Sequence, residues 1–207
     1  DVLTASFMED LEHLDGVSAV YPLLYGQITV PWEPDFAEQW MEEFYAKWMM
    51  IPYEEDRSEY QQYPENFGSV ILGISEEEFP YLQEVVDTTL DREDFLSGKS
   101  CVLYRNGLEL TMENLAGTQV TCAEYGDSGN TRTFEIAGFT DEGYYTGPML
   151  GDPPTIIVSE SVVRDFLENP WISKAGVRYT QEYDEETESK VLGLIQNSPD
   201  GNALSWE

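Results

Sequence analysis

A chain of 207 residues with 41 Asp and Glu against 10 Lys and Arg carries a formal charge of −31, and this restricts every fold open to it. Self-repulsion on that scale opposes compaction. The carboxylates must therefore stay at the surface, and an apolar core must outweigh them. The composition supplies that core, with 41% hydrophobic and 13% aromatic residues, more than a disordered acidic tail carries. A negative field also repels nucleic-acid phosphates and anionic headgroups. Nucleic acid is thus excluded as a partner, as is peripheral attachment to an anionic membrane. Two readings of the charge stay open: a solvation strategy of the halophile kind, and a sink for divalent cations.

A chain of this length buries one core, in one lobe or two. No apolar run approaches the roughly 20 residues of a membrane-spanning helix. Runs such as Val70-Ile71-Leu72 and Ile156-Ile157-Val158 suit buried strands instead. The chain opens at Asp1 rather than Met, within a helical pattern, which predicts a piece of something longer whose anchors lie outside these residues. Cys101 and Cys122 sit in strand-like runs, Ser100-Cys101-Val102-Leu103 and Val120-Thr121-Cys122-Ala123. Two cysteines make no disulfide scaffold; buried free thiols and a bridge across a sheet both remain open.

Leu3, Phe7, Leu11 and Leu14 have helical spacing, closed by Asp15-Gly16. Val17–Val30 reads as a long strand, with Pro22 and Gly26 marking an edge or a bulge. Pro34 opens a second helix, ended by Pro52, with Phe36, Trp40, Met41, Phe44, Tyr45, Trp48 and Met49 on one face and Glu38, Glu42, Glu43 and Lys47 on the other. Residues 53–67 read as an acidic, tyrosine-rich loop. Gly68–Ile74 is a strand leading into a capping box at Ser75-Glu76-Glu77-Glu78 and a helix to about Val86. From Asp91 the pattern changes to strands at Ser100–Arg105, Thr118–Tyr125 and Thr131–Phe139, parted by Asn106-Gly107 and Gly126–Asn130. A Gly/Pro-rich crossing over 147–154 leads to a strand at Thr155–Val158 and a helix capped by Ser159. Val177–Gln181 is a further strand, Asp184 opens the last helix, and Ala203–Trp206 starts a final strand.

This ordered series resembles the MacB-like periplasmic core domain found between the first two membrane helices of FtsX-type permeases. The family's opening helix and strand are matched by Leu14-Asp15-Gly16-Val17-Ser18-Ala19-Val20-Tyr21-Pro22. Val70-Ile71-Leu72-Gly73-Ile74 with Phe79-Pro80-Tyr81-Leu82, and Phe95-Leu96-Ser97-Gly98-Lys99-Ser100-Cys101-Val102-Leu103, match the next two motifs. Phe134-Glu135-Ile136-Ala137-Gly138, Ile156-Ile157-Val158-Ser159 and Gly176-Val177-Arg178-Tyr179 complete the order. The helix over 34–51 and the loop after it are longer than the family pattern.

The resemblance implies an α+β fold of two lobes within a single extracytoplasmic domain over 1–207. One is a mixed α/β lobe from both chain ends (1–90 and 151–207); the other is a small β-rich lobe (91–150) inserted between. It implies a non-catalytic domain of an ABC transporter permease, coupling cytosolic ATP hydrolysis to export or release of an envelope substrate. The implied partners are an ATP-binding subunit and a second permease copy, met through the full-length protein, and a peptide, lipid or drug as substrate. The implied place is the extracytoplasmic face of a bacterial cell membrane, and both termini must then lie on one side of the fold. The reading from another class is a free-standing secreted binding or adhesion module.

Chemical motifs are sparse. Gly126-Asp127-Ser128-Gly129 copies the nucleophile loop of trypsin-like proteases, but that chemistry needs a histidine base. The sole histidine, His13, lies on an acidic helix; the tetrapeptide reads as a hairpin loop. One histidine and two distant cysteines make no zinc site. No glycine-rich phosphate loop is present. The acid runs Glu76–Glu78 and Asp184–Glu188 lack a calcium-loop pattern and suit helix starts. No catalytic, cofactor or metal residue is assigned. The aromatic stripe has two readings: a core-packing face, or a partner or substrate surface anchored by Phe36, Trp40, Phe44 and Trp48. Core packing is the ordinary use of such a stripe and is the expectation carried to the structure.

Overall fold

The computed structural model describes residues 3–32, 34–50, 68–109, 118–147, 155–182, 184–199 and 204. The expected loop over 53–67, most of the crossing over 147–154, both terminal residues and most of the proposed final strand lie outside them. The fold is α+β, as expected: a mixed sheet with six α-helices among the described residues. The elements are α1 (Ala5–Glu12), β1 (Val17–Thr29), α2 (Pro34–Phe44) with a π-helical turn Tyr45–Met49, β2 (Gly68–Ile74), a 3₁₀ turn Glu76–Glu78, α3 (Phe79–Val85) and α4 (Arg92–Leu96). They continue as β3 (Ser100–Tyr104), β4 (Gln119–Glu124), β5 (Asp127–Thr140), a 3₁₀ turn Gly143–Tyr145, β6 (Thr155–Ser159), α5 (Glu160–Phe166), β7 (Trp171–Tyr179) and α6 (Glu185–Asn197).

Contacts divide the chain into two compact units, 1–24 with 171–207, and 25–170. The motif order implies a division at 90/91 and 150/151 instead. The difference lies in strand pairing. β3, from the expected β-rich lobe, pairs in parallel with β5 on one side and antiparallel with β6 on the other, and β6 pairs in parallel with β2. Strands from both expected lobes therefore share hydrogen bonds in one unit, ordered β2-β6-β3-β5-β4. Local patterns reveal a strand but not its neighbour, so lobe membership was not legible from them.

The runs Val70–Leu72, Cys101–Leu103 and Ile156–Val158 are buried. A strand covered on both faces reads as a continuous apolar run instead of an alternating one, which explains those runs. Val162, Val163 and Phe166 of α5 and Phe95 of α4 are buried too. Phe95 meets Phe79 with ring centroids 5.4 Å apart. α4 was not expected, although its signals are local: Asp91 caps it through the Asp94 amide at 2.9 Å, and Gly98 follows with φ 76°.

The smaller unit is built on Phe7, Leu11, Val20 and Val191, all buried. Leu3 and Leu204, from opposite ends of the described chain, both pack against this cluster. α1 ends at Glu12 with His13 as its C-cap, short of the expected stop at Asp15-Gly16. Gly16, with φ 95°, lies in the turn before β1, where the Val17 amide donates to the Leu14 carbonyl at 3.1 Å. The Thr180 amide donates to the Gly16 carbonyl at 2.9 Å. Ser18 Oγ donates to the Arg178 carbonyl at 3.1 Å, beside the β1–β7 pairing. β7 begins at Trp171, earlier than the expected Val177.

Two further boundaries differ. Ser75 has the extended backbone of a cap but makes no capping bond, and a 3₁₀ turn precedes α3. The expected loop over 126–130 is mostly strand: β5 begins at Asp127, and the hairpin turns at Tyr125-Gly126, where Gly126 has φ 89°.

Cys101 and Cys122 are free and buried. They lie on β3 and β4, the two strands flanking β5, opposite Ile136 and Arg132 respectively. Two strand spacings, roughly 9–10 Å, exceed the ~7 Å that a disulfide spans. Burial pushes the Cys122 thiol up to about 12 and the Cys101 thiol well above its ordinary value. We expect neither thiol to react with Ellman's reagent in the folded protein, and both to react in denaturant. Stoichiometric labelling without denaturant would contradict this packing.

Candidate functional site

The helix with the aromatic stripe ends in an irregular feature. Trp40, Met41 and Phe44 are buried, with 2%, 8% and 6% exposure, and Trp32 just before the helix is buried as well. Phe36's side chain lies outside the described residues. Trp48 is 52% exposed. The stripe thus divides: its middle packs inward and its last ring faces solvent. The π-helical turn at Tyr45–Met49 accounts for this. A π turn bonds i to i+5, so residues 45–49 lag behind their α-helical positions and Trp48 leaves the buried face. Met50 then adopts a left-handed φ of 54° and is 84% exposed.

Four polar contacts hold this end of the helix. Lys47 Nζ donates to the Gly107 carbonyl, and Trp48 Nε1 to the Asn106 carbonyl at 3.3 Å. The Glu109 amide donates to Glu43 Oε2 at 2.8 Å, and Gln39 Nε2 donates to Glu43 Oε1 at 3.0 Å. Three of the four reach the backbone over 106–109. That segment is a tight turn: Asn106 and Gly107 have φ 55° and 67°, and the Leu108 amide donates to the Arg105 carbonyl at 3.1 Å. Two consecutive left-handed residues are what Asn-Gly accommodates.

Asp141 braces the turn. Its carboxylate accepts from the Gly107 amide at 2.6 Å and from Arg105 Nε and Nη2 at 3.1 and 2.7 Å. Arg105 also reaches Asp87 at 3.4 Å and lies over the Phe139 ring, 5.5 Å from its centroid. Burial pushes the Asp141 pKa up, but the bonds from Arg105 and the Gly107 amide, with the charges of Arg105 and Lys47, outweigh it and hold the group below its ordinary value. Beside the brace lies a shallow cleft of about 290 Å³ lined by Glu84, Asp87, Arg105, Phe139, Asp141 and Glu142 among others. No local pattern marks this brace, because Asp87, Arg105 and Asp141 are far apart in the chain. Only Asn106-Gly107 signalled the turn at its centre.

The other singled-out residues fall in separate elements. Ser128 is exposed at the start of β5, in the larger unit. His13 belongs to the smaller unit, and its Nδ1 lies 2.6 Å from the Glu9 carbonyl. Asp184 caps α6 through the Glu186 amide at 3.0 Å and the Thr187 hydroxyl at 2.7 Å. Glu76 pairs with Arg92, and Glu78 is buried. Among the described residues no group of His, Cys, Asp and Glu is arranged to hold a metal ion. No helix among them is long and apolar enough to cross a membrane.

No family model and no curated protein matches the chain. Solved structures do. The extracellular domain of the ABC-type transporter YknZ from Gram-positive bacteria is similar at 14% identity and a TM-score of 0.48, over 98% of this chain and 86% of that one. The periplasmic region of MacB from Actinobacillus actinomycetemcomitans is similar at 13% identity and a TM-score of 0.45, over 94% and 73%. The chain is similar to MacB-like extracytoplasmic domains. That is the kind of domain its ordered motifs resemble.

Substituting Trp40→Ala or Phe44→Ala should cost about 3–5 kcal/mol, the usual range for a core aromatic ring, whereas Trp48→Ala should cost far less. Equal melting temperatures for the three variants would refute this division of the stripe. For Asp141, a folded pKa below the ordinary value means that the ionised group adds stability above roughly pH 4, lost as pH falls through the folded value. The gap in melting temperature between the parent and Asp141→Asn should therefore be largest near neutrality and close at low pH. A gap independent of pH would show that Asp141 acts through its shape alone.

Proposed function

We propose that this chain is the non-catalytic extracytoplasmic domain of an ABC transporter permease, which recognises an envelope substrate or partner and passes on motion driven by cytosolic ATP hydrolysis. The supporting observation is the packing of Leu3 and Leu204 on one cluster of Phe7, Leu11, Val20 and Val191. A domain inserted between two membrane helices must bring both connections back to one membrane face. A small unit built from both chain ends does so with the least loose chain. The larger unit then carries recognition, and its surface candidate is the end of α2, where Trp48 and Met50 face solvent. The implied partners are an ATP-binding subunit and a second permease copy, reached through flanking segments. A free-standing secreted module would need no shared base for its two ends.

Ser128, exposed on β5, offers a reporter site, and both thiols of this chain, Cys101 and Cys122, are buried. In the full-length protein, Ser128→Cys should be labelled by a membrane-impermeant maleimide on intact cells, and the labelled protein should stay in the membrane pellet after a carbonate wash. Labelling only after lysis would refute the extracytoplasmic placement. Recovery in the culture medium would favour the secreted module.

A further inference from the structure

Two apolar side chains stand in solvent at the end of α2, beside a turn held by polar contacts. Trp48 is 52% exposed and Met50 84%. Neither position is an accident of loose packing. Trp48 is oriented by its Nε1 bond to Asn106 and by Lys47, whose Nζ lies 5.9 Å from the ring centroid. The acceptor carbonyl belongs to a turn braced in turn by Asp141 and Arg105. Met50, the C-cap of the π turn, has a left-handed φ of 54°, which a residue other than Gly takes at a cost. A π-helical turn, itself uncommon and frequent at functional sites, carries one of these side chains and immediately precedes the other.

The surroundings define the chemistry of what would cover them. Glu43 and Glu109 flank the turn, joined by the amide–carboxylate bond between them. Asp141 lies beneath, and the chain as a whole carries −31. Lys47, the cation within the π turn, keeps its charge beside the ring; it donates to the Gly107 carbonyl, and its charge acts on Asp141, which is one of the acids around this turn. An acidic or neutral-apolar partner would meet like charge or leave carboxylates uncompensated. An apolar side chain flanked by Lys or Arg would pack on the indole and thioether and place its cations against the rim.

We propose that the π turn of α2, with Trp48 and Met50 as anchors and Glu43 and Glu109 as rim, binds a basic amphipathic peptide segment. This gives a chemical class to the recognition surface of the proposed function, but it does not depend on the transporter reading, because binding is measured on the chain alone. Held rigidly before the partner arrives, the indole loses little freedom on binding, which favours affinity.

The test is fluorescence anisotropy with a labelled amphipathic peptide of Lys and Leu at helical spacing. Oligolysine and a Glu/Leu peptide of the same spacing serve as controls. The parent should bind the Lys/Leu peptide more tightly than oligolysine and should not bind the Glu/Leu peptide. Trp48→Ala should weaken Lys/Leu binding about tenfold and leave oligolysine binding unchanged. Met50→Gly suits a left-handed backbone, so it should keep or raise the melting temperature while still weakening the peptide. Unchanged affinity in both variants overturns the proposal, as does a parent that binds oligolysine as tightly as Lys/Leu. Equal binding of the Glu/Leu peptide would overturn the basic character assigned to the partner.

Discussion

The sheet of the larger unit depends on strands that have no face to spare. β3 is hydrogen-bonded on both edges, to β5 and β6, and its residues Ser100–Leu103 are buried throughout. β6 is equally enclosed, buried at every position from Thr155 to Ser159. With both edges and both faces occupied, these segments tolerate no charge. In a chain of −31 that requirement leaves carboxylates to helix ends, turns and sheet margins. Many of them then serve locally. Asp91 and Asp184 cap helices, Asp141 braces a turn, and Asp87 accepts the Phe139 amide at 2.8 Å.

The same economy shapes the end of α2. Its inward residues Trp40, Met41 and Phe44 are core, and the ordinary use of an apolar stripe accounts for them. The unusual element is the π turn that follows, because it separates Trp48 from the face to which its spacing assigned it. A regular helix would have continued the stripe. The turn at Asn106-Gly107 receives the displaced residues through backbone carbonyls, so the docking depends on backbone geometry more than on side-chain identity at 106–109.

The legibility of this protein follows the range of the interactions involved. Elements set by local chemistry were readable: the apolar runs of β2 and β6, the Asp184 cap and the Asn-Gly turn. α4 had a local signature too, an Asp cap and a C-terminal glycine, but five residues between strand patterns did not register as a helix. β5 started earlier than expected because Asp127–Asn130 are small, polar turn formers. Register pairing with β4, Thr121 opposite Thr133 and Ala123 opposite Thr131, extends the hairpin past their preference.

The order of motifs, the absence of a nucleophile–base pattern and the α+β class rest on residue types and short spacings, and the amino-acid order carries these directly. Period and capping are properties of neighbours a few residues apart. Which strands share a sheet, where the compact units divide and which ring of the stripe meets water depend on contacts between distant residues. Asp141 bracing Gly107 across 34 positions is one such contact, and the clip between Trp48 and Asn106 across 58 is another. No local pattern encodes them, because their energy exists only once the intervening chain has folded and brought the partners together.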